Sequence, residues 1–164
     1  MRKSWVLGLL VFAVRLSAAD AVYAPLWLYD GGWQVSAQNL AAGAKPDRLL
    51  NECRQIGTYF GCQQTVNGKV SALIVFIPAG KKGHYYTQSV RPEGFASGRG
   101  ELEIDGDRWT YMSRSLEDGK SKYYRTTNKF TGKDSIHYES SESTDSTHWT
   151  VTGSGDEVRA AKTK

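Results

Sequence analysis

The sequence predicts an all-β fold, an up-and-down antiparallel barrel of about 8 to 10 strands with one short helix near residues 46–56. Three observations carry this expectation. From residue 58 onward, short β-prone runs are separated by turn-forming clusters: Asn67-Gly68, AGKKG (79–83), RPEG (91–94), DGD (105–107), EDGK (117–120), TGKD (131–134) and STDS (143–146). Within the runs, apolar and polar side chains alternate, which is the period of a ribbon with one covered face. Asn67-Gly68 is also a strong hairpin signal, because both residues tolerate positive φ.

The first segment reads differently. Met1-Arg2-Lys3 precedes an apolar run from Trp5 to Val14, and Leu16-Ser17-Ala18-Ala19 leads into Asp20. A basic start, a short apolar run and small residues before a break define a secretory signal peptide over 1–19. The run is too short to cross a bilayer, which takes about 20 residues. The expected product is a periplasmic or secreted protein with no stable membrane insertion after cleavage. A single domain is expected over 20–160, followed by a disordered tail at 161–164.

Cleavage also revises the charge. The chain holds 21 basic and 17 acidic residues. Arg2, Lys3 and Arg15 leave with the signal, so the remainder carries 18 against 17, a balance of +1. Such a balance gives no footprint for nucleic acid.

Residues 30–36, DGGWQVS, open the first strand. Next, KPDRLLNECRQIG offers Pro46 and Asp47 at a helix start, Leu49, Cys53 and Ile56 on one helical face, and Gly57 as a stop. Cys53 and Cys62 are expected to pair in an oxidising compartment. On one continuous strand they lie too far apart to bridge, so the chain must leave a helix or reverse between them, at Gly57 or around Tyr59-Phe60-Gly61.

Alternation assigns faces to the later runs. Trp109, Tyr111 and Ser113 share one, and His84, Tyr86, Gln88 and Val90 share another. Ile136 and Tyr138 oppose His137 and Glu139, while Trp149 and Val151 oppose His148 and Thr150. Matching apolar faces pairs Tyr138 with Trp149 and Ile136 with Val151 across a loop from Glu142 to Asp145. VSALIVFIP (70–78) is apolar on both faces, so a cover over its outer face is expected: the short helix or a second copy.

Gly31 and Trp33 form a G-x-W pattern at the start of the first strand of a small antiparallel β protein. This resembles the signature of the lipocalins and their calycin relatives, in particular the lipocalin-like proteins of bacteria. The resemblance implies that Trp33 closes the barrel base, that Gly31 lets the chain swing beneath it, and that Arg159 packs over the indole. Two features depart from the family pattern: Thr144-Asp145 is followed by Ser146 rather than tyrosine, and 153–164 is too short and glycine-rich for a helix after the barrel.

No His-x-His or His–carboxylate ligand spacing, nucleophile elbow or phosphate loop is present, so no metal and no cofactor are expected. The expected ligand-binding residues are the aromatics assigned inward: Trp33, Tyr86, Trp109, Tyr111, Tyr124, Tyr138 and Trp149. Arg125, between Tyr124 and Thr126, is a candidate for an anionic head group. The expected function is non-catalytic binding of a small hydrophobic or amphipathic molecule by a monomer or weak homodimer. Two rivals stand beside it: a solid-core interaction module docking through 70–78, and an enzyme using His84 with a tyrosine.

Overall fold

In the computed structural model, which describes residues 18–39 and 47–161, ten antiparallel strands close into one barrel. Before the barrel come a short helix, α1 (Ala18–Tyr23), and a 3₁₀ segment (Ala24–Tyr29). The strands are β1 (Gly31–Asn39), β2 (Arg48–Ile56), β3 (Tyr59–Val66), β4 (Lys69–Pro78), β5 (His84–Val90), β6 (Gly100–Asp105), β7 (Arg108–Glu117), β8 (Lys120–Phe130), β9 (Ser135–Ser143) and β10 (Thr150–Arg159). Each pairs with its sequence neighbours, and β1 pairs with β10 to close the ring. No sheet edge is left exposed.

The hairpin signals correspond to real turns. Asn67 and Gly68 both have positive φ, 50° and 81°, and connect β3 to β4. Asp118-Gly119 does the same between β7 and β8, with φ of 50° and 75°. Two successive positive-φ residues twist with the strands they join, which fixes the register of each ribbon.

The helix expected near 46–56 is instead β2, and the one α-helix among the described residues lies at Ala18–Tyr23. Pro46 falls outside the described residues. Residues 48–56 show helical spacing at Leu49, Cys53 and Ile56, yet Leu49, Asn51 and Cys53 also recur every second residue. Pairing with β1 on one side and β3 on the other satisfies the backbone of β2, and that tertiary gain outweighs weak helix propensity. The chain reverses at Gly57, which sets Cys53 directly opposite Cys62, and the two form a disulfide. With β2 in the barrel wall, nothing among the described residues covers the outer face of β4. Leu73 and Ile77 are each 42% exposed there.

The register of the last hairpin also differs from the expectation. Val151 lies opposite Ser141, Tyr138 opposite Gly155 and Ile136 opposite Glu157. Residues 144–149 are loop. Asp145 Oδ1 accepts from the backbone N–H groups of Thr147 and His148, at 2.8 Å each, and Ser143 Oγ donates to the same oxygen. This local network holds the segment out of the ladder. The strand then runs through TVTGSGDEVR, with a register shift between Val151 and Gly153. Glycine is needed inside it: a Cβ at Gly155 would collide with the Ser36 carbonyl and with the Tyr138 ring.

Inward positions alternate along each strand, apart from the register shifts near Ser71 in β4 and Thr152 in β10. They are odd in β1, β2, β5 and β7 and even in β3, β4, β6, β8 and β9, and β10 contributes Gly155 and Glu157. The base end is packed. Tyr23, Leu26 and Tyr29 enter it from the N-terminal segment and meet Trp33, Phe60, Phe76, Tyr85, Leu102, Trp109, Phe130 and Ile136. Among the bonds that fasten this plug, Tyr23 Oη donates to the Phe76 carbonyl at 3.1 Å, and Tyr85 Oη to the Val22 carbonyl at 2.7 Å.

Candidate ligand cavity

The G-x-W stretch builds the floor. Trp33 and Trp109 are both 0% exposed. With Tyr29 and Phe130 they form an aromatic layer whose ring centroids lie 4.9 to 6.3 Å apart. Trp33 Nε1 donates to the Tyr29 carbonyl at 2.9 Å. Arg159 sits opposite Trp33 in the β1–β10 ladder, with its guanidinium carbon 4.3 Å from the indole centroid. It donates to the carboxylate of Asp134 and to the carbonyls of Asp30, Leu28 and Lys133. Gly31 has φ 111°, and a Cβ there would stand 2.8 Å from an Arg159 nitrogen. The backbone geometry and the close approach of Arg159 both require glycine here.

Above the aromatic layer the barrel is hollow. Ten strands enclose a wider interior than the eight that side chains can just fill. A cavity of about 390 Å³ remains, lined on its apolar side by Val35, Leu49, Ile74 and Phe76, and on its polar side by Asn51, Gln64, Thr126, Ser140 and Glu157. It lies within the size range of small-molecule sites. Because the floor is packed, access is from the end carrying the loops at 91–99 and 144–149.

A hydrogen-bonded chain crosses the cavity bottom. Gln64 donates to Asn51 Oδ1 at 3.2 Å, and Asn51 donates to Tyr29 Oη at 3.2 Å. Tyr29 in turn donates to Glu157 Oε2 at 2.6 Å. Asn128 Nδ2 donates to the other carboxylate oxygen at 3.0 Å. Glu157 is only 5% exposed. Burial pushes its pKa up, opposed by the bonds from Tyr29 and Asn128. Burial and then the Glu157 charge push Tyr29 and Tyr111 well up. Both therefore stay neutral phenols. Two buried polar atoms have no partner among the described residues: Trp109 Nε1 and Asn128 Oδ1, on residues facing each other across β7 and β8.

The expected site residues divide into four groups. Tyr111 and Tyr138 line the cavity. Trp33 and Trp109 form the floor beneath it. Tyr124 has inward parity nearer the mouth, where its hydroxyl donates to Glu117. Lys122 Nζ lies 2.9 Å from Glu142 and 3.8 Å from Glu117 on the same rim.

Tyr86 and Trp149 are outside the barrel. Tyr86 alternates with the inward Tyr85 and Thr87, and Arg99 stacks on its outer face at 4.1 Å. Trp149 precedes β10 and stacks on Arg125 at 4.3 Å, on the outer side of β8. Arg125 is therefore engaged outside and does not enter the cavity. For Tyr86, the apolar Tyr85 beside it offered an equally good inward choice. Trp149 followed from treating THWTVT as strand, which the Asp145 turn prevents.

All three histidines face outward. His84 Nε2 lies 3.5 Å from Glu103, His137 Nδ1 2.8 Å from Asp156, and His148 Nδ1 2.7 Å from Asp145. His84 thus shares no space with the cavity tyrosines, which removes the acid–base pair that the enzyme alternative invoked. Among the described residues no group of three His, Cys, Asp or Glu side chains is placed to hold a metal. No protein-family model matches the sequence, and no curated protein is significantly similar to it.

Glu157, Asn128, Asn51, Gln64 and Tyr29 were not singled out from sequence. A signal for Glu157 existed: once Arg159 is paired with Trp33, stepping back two residues turns Glu157 inward.

Proposed function

We propose that this protein is an exported, lipocalin-like carrier that holds one small hydrophobic or amphipathic molecule in the upper half of its barrel. The observation that carries the reading is the cavity itself, with apolar walls and a few convergent polar groups above a floor packed by Trp33, Trp109 and Phe130. The lipocalin likeness rests on the closed antiparallel barrel and on the Gly31–Trp33–Arg159 arrangement at its base. Export is supported by the N-terminal signal pattern and the Cys53–Cys62 disulfide. No described helix is long and apolar enough to cross a membrane.

Native mass spectrometry of protein purified from its own host tests the reading. An adduct that is lost on denaturation is the expected result. Bare polypeptide, together with no binding across a panel of small apolar dyes, contradicts it.

A second reading, docking through the outer face of β4, is favoured by the exposure of Leu73 and Ile77 and, beyond them, Tyr59. Sedimentation analysis of Leu73→Lys decides it. Loss of a self-association seen in the wild type supports docking, and identical profiles remove it.

A further inference from the structure

The electrostatics of the cavity are one-sided. Glu157 is the one cavity-lining group among the described residues that carries a formal charge when ionised, and no Lys, Arg or His side chain joins it there. Its two hydrogen-bond donors, Tyr29 and Asn128, are neutral. A lone buried carboxylate is costly, and neutral donors offset only part of that cost. Arg159, two residues away, is committed to Asp134 and three backbone carbonyls beneath the floor.

Asn128 is 4% exposed and lines the cavity. One amide N–H is directed at the carboxylate; among the described residues, Asn128 Oδ1 has no donor, and the Trp109 indole N–H across the ladder has no acceptor. On the inner rim Glu117 and Glu142 meet Lys122, and Lys120 lies opposite Glu117 in the β7–β8 ladder. The cavity therefore holds one buried carboxylate and no positively charged side chain among its described lining residues. Tyr111 and Tyr138 line the same space, and aromatic rings favour a nearby cation.

We infer that the cavity selects a small organic cation: a primary ammonium or amidinium group on an apolar or aromatic body, with its charged end against Glu157. The charge pairs with the carboxylate, and the body lies along Val35, Leu49 and Ile74. This assignment rests on the carrier reading above and narrows it to one ligand class.

The experiment compares three probes of similar size by calorimetric titration of the disulfide-intact protein: 2-phenylethylamine, 2-phenylethanol and phenylacetate. The amine is expected to bind at least ten-fold tighter than the alcohol, with phenylacetate weakest. Glu157→Gln, in which the amide oxygen can still accept from Tyr29, is expected to bring the amine down to the alcohol's affinity. Should that variant fail to fold, the wild type is titrated at falling pH. Amine affinity should then drop as Glu157 protonates while alcohol affinity stays level, since alkylamines remain charged throughout. The groups sharing the cavity with Glu157 are Tyr29, Tyr111 and Tyr138, which stay neutral over that range. Equal affinity for amine and alcohol, or tighter binding of phenylacetate, overturns the inference and leaves the carrier reading standing. If no probe and no apolar dye enters the cavity, both fall.

Discussion

The two halves of this barrel obey one parity rule and reach opposite results. At the base, inward positions carry Trp33, Phe60, Tyr85, Leu102, Trp109, Phe130 and Ile136, and the N-terminal segment adds Tyr23, Leu26 and Tyr29 from below. In the upper half, the same strands turn Val35, Gln64, Ser89, Thr126 and Ser140 inward, and the middle stays empty. A ten-strand wall is too wide for side chains of ordinary size to meet across it. Filling it takes a layer of aromatics plus an inserted plug, and without that plug the upper half stays open between aliphatic and polar walls. The packed side chains are concentrated at one end, and the other end is left hollow.

The largest expected effect comes from the base. Trp109→Ala should destabilise by about 3–5 kcal/mol, because a wholly buried indole would leave a void that its aromatic neighbours cannot close. Thr126→Ala in the cavity removes only a hydroxyl pair with Ser140 and should cost under about 1 kcal/mol. Chemical denaturation of both variants checks the contrast, and equal losses would abolish it.

The disulfide lies between the halves, since Cys53 belongs to the packed cluster and Cys62 also lines the cavity. Its closed loop is short, with a sequence separation of 9. Replacing both cysteines by serine should cost about 2.5 kcal/mol by loss of loop-closure entropy. Denaturation of that double variant under non-reducing conditions measures this.

A smaller effect sharpens the electrostatic side. Glu157 has a folded-state pKa above its ordinary value, so the folded chain binds its proton more tightly than the unfolded chain does. Its contribution to stability is therefore present at low pH and is lost as pH rises through the ordinary carboxylate range to the folded value. Glu157→Gln should show a flatter decline over that window in thermal unfolding. A steeper decline would mean that the carboxylate is stabilised by a charge not identified here. Asp145 acts in the opposite sense. Its pKa is depressed by the His148 side chain and by the backbone N–H groups of His148 and Thr147, so its contribution is lost on acidification.

Much of the fold was legible in the sequence because barrels advertise themselves locally. Asn67-Gly68 and Asp118-Gly119 mark their own turns, and Trp109-Thr110-Tyr111 shows its face by alternation. Cys53 and Cys62 required the chain to leave a helix or reverse between them, at Gly57 or around Tyr59-Phe60-Gly61, and it reverses at Gly57. What was not legible depended on distant partners. Residues 48–56 satisfy both helical and strand spacing, and only pairing with β1 and β3 decides between them. The GSGDEVR part of β10 (153–159) was not legible as strand, because its glycine at 155 is explained only by the Ser36 carbonyl and Tyr138 ring lying against it. Losing that strand also hid Glu157. Tyr85 and Tyr86 are chemically alike, so composition could not choose which one faces inward.

Filling each half tests the account most directly. Ser89→Phe places a ring in the cavity, and Ile136→Phe places one in the packed base. By thermal unfolding, Ser89→Phe should stay within about 1 kcal/mol of the wild type, whereas Ile136→Phe should lose about 1–3 kcal/mol through overpacking. Equal losses at the two positions would mean that the upper half is as full as the lower, and would contradict the account.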